Sequence, residues 1–275
     1  MESHVARRLM LNRLEATLIT GAVRRDVGSA TVLIHPALAS NTWNFAVDVD
    51  ADDQDVAATI QRVEEVFRGE KRWPAWLTGP YDRPPDFGER MKGLGYAPDP
   101  DRTVMWADKP PAFEVPAHGG LEVERADEAT VDECIQIALQ RFGWPYDWGK
   151  PLRKAALDGL ARGENHYRMY YATLNGAGVA TAFVVFYAGT AGIYGMATSK
   201  DFEGKGIGRS VLKHCLDDAF EGGIDLVTLQ VTTGSRAESF YERAGLQRAY
   251  VARKWGKGAG TRAAQGAPAA LTTTA

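Results

Sequence analysis

The sequence predicts an α/β protein made of two consecutive units, each a mixed sheet with flanking helices. Three observations carry that prediction. In both halves, short β-branched and aromatic runs alternate with segments whose apolar residues recur at helical spacing. The stretch DKPPAFEVPAHGG, residues 108–120, holds Pro110, Pro111 and Pro116 and ends in two glycines, which suits neither a helix interior nor a central strand. At 275 residues the chain is long for one core and comfortable for two.

The elements follow in chain order. Residues 4–18 read as a helix carrying Val5, Leu9, Leu14 and Leu18. TVLIHP and NFAVDVD read as strands from their alternation and β-branched content. Val56, Ile60, Val63 and Phe67 fall at helical spacing in DQDVAATIQRVEEVFRG. PAWLTG is a short strand, FGERMKGLG a short helix and RTVMWAD a strand that closes the first half. The second half opens on the strand LEVERA, followed by the helices in DEATVDECIQIALQRF and DWGKPLRKAALDGLARG. Three successive strands follow: YRMYYATL, GVATAFVVFYA and AGIYGMAT. A glycine-rich loop, a helix over 206–220, the strand DLVTLQVT, the helix RAESFYERAG and a strand around AYVARKW complete it. The last twenty residues are small and lack core-forming side chains, which predicts disorder.

Composition excludes several function classes. A formal net charge of −3 offers no basic surplus for a nucleic-acid partner. No apolar run reaches the length of a membrane span, and the charged N-terminus lacks a signal-peptide core. Two cysteines, Cys134 and Cys215, make no disulfide scaffold, and each reads as a buried, reduced thiol. The expectation is a cytoplasmic monomer or homodimer that calls for no metal, membrane or nucleic acid.

The loop FEGKGIGRSVL sets Gly204, Gly206 and Gly208 at alternate positions before an amphipathic helix that buries Ile207, Val211, Leu212, Cys215, Leu216 and Phe220. A helix N-terminus has unpaired N–H groups and the positive end of the dipole. Glycines ahead of it let a phosphate approach the backbone, and Lys205 and Arg209 add charge. Neither the Walker pattern nor the G-x-G-x-x-G fingerprint fits. A tight strand-to-helix turn with no ligand is the other reading of the glycines alone.

The order strand, glycine loop, amphipathic helix, strand, short tyrosine-bearing helix, strand over residues 120–255 resembles the GNAT superfamily of acyl-CoA N-acyltransferases. That family's loop reads [QR]-x-x-G-x-[GA], and EGKGIG, Glu203 to Gly208, follows it except at Glu203. ESFYERAGL, with Tyr241, Gly245 and Leu246, is similar to the family's tyrosine helix. Gly234 stands where many members have Asn, with Ser235 beside it as a partial replacement.

The resemblance implies two tandem GNAT-like domains, each a central, mostly antiparallel sheet flanked by helices. Residues 1–108 form a degenerate domain, 109–120 a linker, 121–255 the catalytic domain and 256–275 a disordered tail. It implies an acetyl-CoA or other acyl-CoA cosubstrate. Met196, Ala197 and Thr198 would meet the pantetheine arm. Glu203, Gly204, Lys205, Gly206, Ile207, Gly208, Arg209 and Ser235 would line the diphosphate. It makes Tyr241 the general acid for the departing thiolate. No base is assigned among Tyr194, His166, Glu164 and Gln230. The acceptor, a small-molecule amine, is expected against Phe142, Trp144, Tyr146, Asp147 and Trp148, whose aromatics would alternatively close the domain interface.

The first half looks like a repeat without the chemistry. Met91 falls where Tyr241 does, and the loop counterpart DVDADDQDV carries Asp48, Asp50, Asp52, Asp53 and Asp55, which repel a diphosphate. The activity expected of the whole is N-acyl transfer, most simply N-acetyl transfer, by direct attack in a ternary complex. A transferase using a carrier-protein or aminoacyl-tRNA donor, or a non-catalytic acyl-CoA-binding protein, are the alternatives.

Overall fold

The computed structural model describes residues 3–258. Helix α1 (Ser3–Ile19) precedes β1 (Val23–Val27), β2 (Ala30–Ile34), β3 (Phe45–Val47), α2 (Val56–Gly69), β4 (Ala75–Thr78), α3 (Phe87–Gly93) and β5 (Tyr96–Ala107). From Asp108 to Gly120 there is no helix or strand. Then come β6 (Leu121–Arg125), α4 (Val131–Phe142), α5 (Gly149–Ala161), β7 (Tyr167–Leu174), β8 (Ala177–Tyr187) and β9 (Thr190–Thr198). The chain ends with α6 (Ile207–Glu221), β10 (Val227–Thr232), α7 (Arg236–Arg243) and β11 (Gln247–Lys257). Two expectations are corrected. The run VRRDV forms β1, an edge strand of mostly exposed charged residues, a composition that blunts an edge and hides its period. The tail does not begin at 256, because β11 reaches Lys257; residues 259–275 of the expected tail lie outside the described residues.

The two expected sheets join into one of eleven strands, ordered β1-β2-β3-β4-β11-β5-β10-β9-β8-β7-β6. The halves share one pattern: β1–β2 and β2–β3 are antiparallel and β3–β4 parallel, as β7–β8 and β8–β9 are antiparallel and β9–β10 parallel. Each half then gives its last strand to the other. The first half's β5 pairs with β10, the second half's β11 pairs with β4, and β5 and β11 pair with each other at the seam.

Helices cover both faces. On one face, α6 and α7 bury Ile207, Val211, Leu212 and Ala237, with Leu246 just after α7, over β8–β10 and β5. On the same face, α2 and α3 bury Val56, Ile60, Val63, Phe67, Phe87 and Met91 over the first half. On the opposite face α4 and α5 cover the second half, and α1 crosses the seam with Leu9, Met10 and Leu14 fully buried. Among the described residues no helix is long and apolar enough to cross a membrane.

Candidate active site

The parallel pairing of β9 with β10 runs from Ala191↔Val227 to Ile193↔Leu229 and stops there. Beyond that point the strands part. The cause is visible in β9: its register with β8 shifts between Thr181 and Phe183, and Gly195 sits at φ +58° within the shift. A Cβ on Gly195 would stand 2.7 Å from the Phe183 ring, so only glycine makes this bulge. The bulge turns the end of β9 away and leaves one edge of Tyr194–Thr198 without a neighbouring strand.

The split leads to the N-terminus of α6. Gly204 and Gly206 lie at φ +73° and +84°, and no side chain caps the helix. Around the position of a Cβ on Gly204 there is open space within 4 Å. At Gly206 a Cβ would meet Pro116 Cγ at 2.7 Å, so the linker backs the loop from behind. The first-turn N–H groups therefore face a ligand-sized opening, as an anion site requires. A cleft of about 220 Å³ lies there, and Thr198, Gly204, Gly208, Arg209 and Tyr241 line it.

Of the expected donor-site residues, Met196, Thr198, Glu203, Gly204, Gly206, Ile207, Gly208 and Arg209 share this cleft with Tyr241. Ala197, Lys205 and Ser235 do not line it. Ala197 is buried on the opposite face. Lys205 Nζ stands 5.0 Å over the Phe202 ring. Ser235 caps α7, its hydroxyl accepting from the Glu238 N–H at 3.2 Å, while Glu238 Oε2 accepts from the Gly234 N–H at 2.6 Å.

Two charged cleft residues escaped sequence reasoning. Arg141, at the end of α4, is buried and pairs through Nε with Glu203 Oε1 at 2.8 Å. The carboxylate that departs from the family loop is thus neutralised in place. Arg243, in the last turn of α7, lines the same cleft. Each reads in sequence as an ordinary basic residue near a helix C-terminus, and only the tertiary fold brings them to the loop. Tyr241 packs edge-on to Phe240 at 5.0 Å, and burial, then the neighbouring Cys215, pushes its phenol well above the usual tyrosine range.

The base candidates lie elsewhere or are engaged. The Tyr194 hydroxyl donates to Asn12 Oδ1 at 2.8 Å, and burial raises it above its ordinary range. Glu164 pairs with Arg125, which also holds Asp218 in the fourth turn of α6, far from its N-terminus. His166 is exposed beside Glu164. Gln230 follows the split on β10 and faces a different pocket. Among the described residues no group of three or more His, Cys, Asp and Glu is placed to hold a metal.

The aromatic segment is not gathered into the cleft. Trp144 and Trp148 stand edge-on to Trp43 of the first half at 5.1 and 5.2 Å, and Phe142 packs on Trp144 at 4.6 Å. They close the interface between the halves. Tyr146 is 81% exposed and Asp147 is exposed.

The first half has the same split, filled from within. β3 and β4 pair only at Ala46↔Trp76. The segment after β4 then turns back into the opening: the Arg83 N–H donates to Val49 O at 2.9 Å and the Ala51 N–H to Arg83 O at 3.3 Å. Asp82 completes the plug, accepting from the Val49 N–H at 3.0 Å and the Gly79 N–H at 2.6 Å.

The donor-side cleft thus combines a sheet split, an uncapped glycine loop and a tyrosine across from it. Residues 132–246 match the profile of the acetyltransferase (GNAT) family. Solved structures extend the fold to both halves. A GCN5-related N-acetyltransferase from Kribbella flavida superposes with a TM-score of 0.68 at 18% identity, over 90% of this chain and 95% of its own. One from Sphaerobacter thermophilus gives 0.66 at 18% identity, over 85% and 82%. A tandem GNAT protein from the clavulanic acid biosynthesis pathway gives 0.59 at 16%, over 84% and 79%. No curated protein matches the sequence.

Proposed function

We propose that the second half transfers an acyl group, acetyl in the simplest case, from acyl-CoA to the amine of a small molecule. The single observation that carries this reading is the unpaired edge of β9 running straight into the open glycine loop of α6. That edge offers backbone groups to an extended amide-bearing arm, as a missing strand would. Gly206, Ile207 and Gly208 offer N–H groups to a diphosphate, and Arg209 and Arg243 add positive charge. Arg141 keeps Glu203 from opposing it.

The chemistry asks little beyond placement. The amine nitrogen bonds to the thioester carbonyl carbon, and the carbon–sulfur bond breaks. Tyr241 supplies the proton for the sulfur, the proton shed by the amine nitrogen passes to water, and water returns one to Tyr241. Because burial holds its phenol protonated across the neutral range, its O–H hydrogen-bonds the sulfur first and yields the proton as negative charge builds there. The first half supports no second donor site in this reading, because its own Asp82–Arg83 segment occupies the split and acidic residues surround its loop.

The test is thiol release from acetyl-CoA across a panel of small amines, with calorimetric titration of acetyl-CoA alone. Binding with turnover is expected. Tyr241→Phe lowers kcat by about 10²-fold with little change in acetyl-CoA affinity. No binding of acetyl-CoA removes the reading; an unchanged kcat in the variant removes Tyr241 from the chemistry.

A further inference from the structure

The segment 108–120 joins the halves without forming a helix or strand, yet it does not run clear of the donor cleft. It touches both helices that border that cleft. Just past the end of α7, a Cβ on Gly245 would stand 2.8 Å from Pro111 Cβ. Further along, Pro116 closes on Gly206, and His118 Nε2 lies 3.3 Å from the position of a Gly206 Cβ. Between these two points Phe113 is half-buried and packs on the core beneath α6. Pro110, Pro111 and Pro116 narrow the backbone choices along this path, so little further order is lost in crossing from α7 to α6.

Phe113 has a second contact. Its ring lies under Arg209, with 5.5 Å between the guanidinium carbon and the ring centroid. Arg209 belongs to the first turn of α6 and lines the cleft. Its side chain makes no ion pair or hydrogen bond among the described residues. The Phe113 ring is therefore what orients it. The loop's other basic residue is placed differently: Lys205 stands over Phe202, an aromatic of the loop itself, and does not line the cleft. Arg141 is engaged with Glu203.

We infer that the joining segment is a wall of the donor site and that Phe113 is a positioning residue, its ring holding the Arg209 guanidinium at the cleft for the diphosphate of the acyl donor. The inference rests on the acyltransferase reading above. A guanidinium laid face-on against a ring keeps its N–H edge free for phosphate oxygens. An arginine already held in this way loses less freedom when the ligand arrives than one that swings in solvent. If Phe113 only filled space against α6, another apolar side chain of similar size would serve as well. The guanidinium over its face gives the ring a task that leucine cannot perform.

Calorimetric titration of acetyl-CoA into the full chain tests this. Phe113→Leu keeps an apolar side chain against α6 and removes the ring, and affinity is expected to fall about 3- to 10-fold, as for a half-exposed cation–π contact. Phe113→Met, longer and equally without a ring, is expected to behave alike, and Phe113→Tyr to restore binding. Arg209→Gln is expected to lower affinity by about tenfold or more. Phe113→Leu added to Arg209→Gln lowers it no further, because the ring acts through the guanidinium. Thermal melting of each variant separates loss of fold from loss of affinity. The same Phe113→Leu loss in the Arg209→Gln background, or a Phe113→Tyr protein that binds no better than Phe113→Leu, reduces Phe113 to packing and overturns the inference. An Arg209→Gln protein that binds like the unaltered chain overturns it as well, and in each of these cases acyl transfer stands. Absence of acetyl-CoA binding by the unaltered chain overturns the acyl-transfer reading beneath it.

Discussion

Arg141 and Glu203 exchange the charges that the loop pattern leads one to expect. The family position asks for Gln or Arg, and here a carboxylate stands beside the N–H groups proposed to hold a diphosphate. The side chains of Arg141 and Glu203 are only 8% and 17% exposed, so screening by water is weak and the pair behaves as a unit. Arg141→Ala leaves Glu203 without that partner at the mouth of the cleft, and acetyl-CoA affinity is expected to fall by about tenfold or more, ~1.4 kcal/mol. Glu203→Gln on its own costs less, and Arg141→Ala/Glu203→Gln recovers most of the loss. Titration calorimetry over the four proteins measures this coupling, and strictly additive losses would show that the two act separately. At this scale the sequence pointed to Gly204, Gly206, Gly208, Arg209 and Tyr241, which line one cleft, because a glycine spacing and a helix start are local signals. It did not disclose Arg141 or Arg243, which reach the cleft only through tertiary packing, nor that Trp144 and Trp148 are committed to Trp43.

Among the elements, the two β splits differ in what fills them. That of the second half is open along β9, whereas that of the first half is occupied by the return of the chain after β4. Asp82 is the measurable part of that plug. Burial, outweighing the hydrogen bonds from the Gly79 and Val49 N–H groups, raises its carboxyl to about 6. The folded state therefore holds a proton that the unfolded chain, near 3.8, has released. Stability from this group is full below about pH 4 and is lost as pH rises through about 6, by up to about 3 kcal/mol. Urea titrations at pH 4, 5, 6 and 7 are expected to show the unaltered protein losing ground over that window relative to Asp82→Asn; a constant difference between them would uncouple Asp82 ionisation from folding. Alternation and helical spacing made nearly every strand and helix legible in advance. β1 was missed because four of its five residues are exposed, and the plug was invisible because Tyr81–Arg83 reads as a turn between prolines.

The molecule as a whole is fastened by its exchanged strands, which no local pattern could announce, since the partners of β5 and β11 lie across the chain. Cores are consequently shared. Met105 and Ala107 of the first half sit in the core beneath α6, and Trp255 of the second half is 2% exposed in the core beneath α2 and α3. Its indole Nε1 donates to Thr78 Oγ1 at 3.1 Å, and a Cβ on Gly88 would approach its ring to 2.9 Å, so the ring fills its space tightly. Trp255→Ala empties that volume and is expected to cost about 3–5 kcal/mol. If the halves were independent, the loss would fall on the first half alone and two melting steps would separate. With β5 and β11 paired side by side and each anchored in the opposite half, unfolding either half strips an edge and core residues from the other. The expectation is one calorimetric transition in both proteins, shifted down in Trp255→Ala, with acetyl-CoA binding lost at the same temperature although its cleft is in the other half. A first step that leaves acetyl-CoA binding intact would show that the seam does not couple the halves.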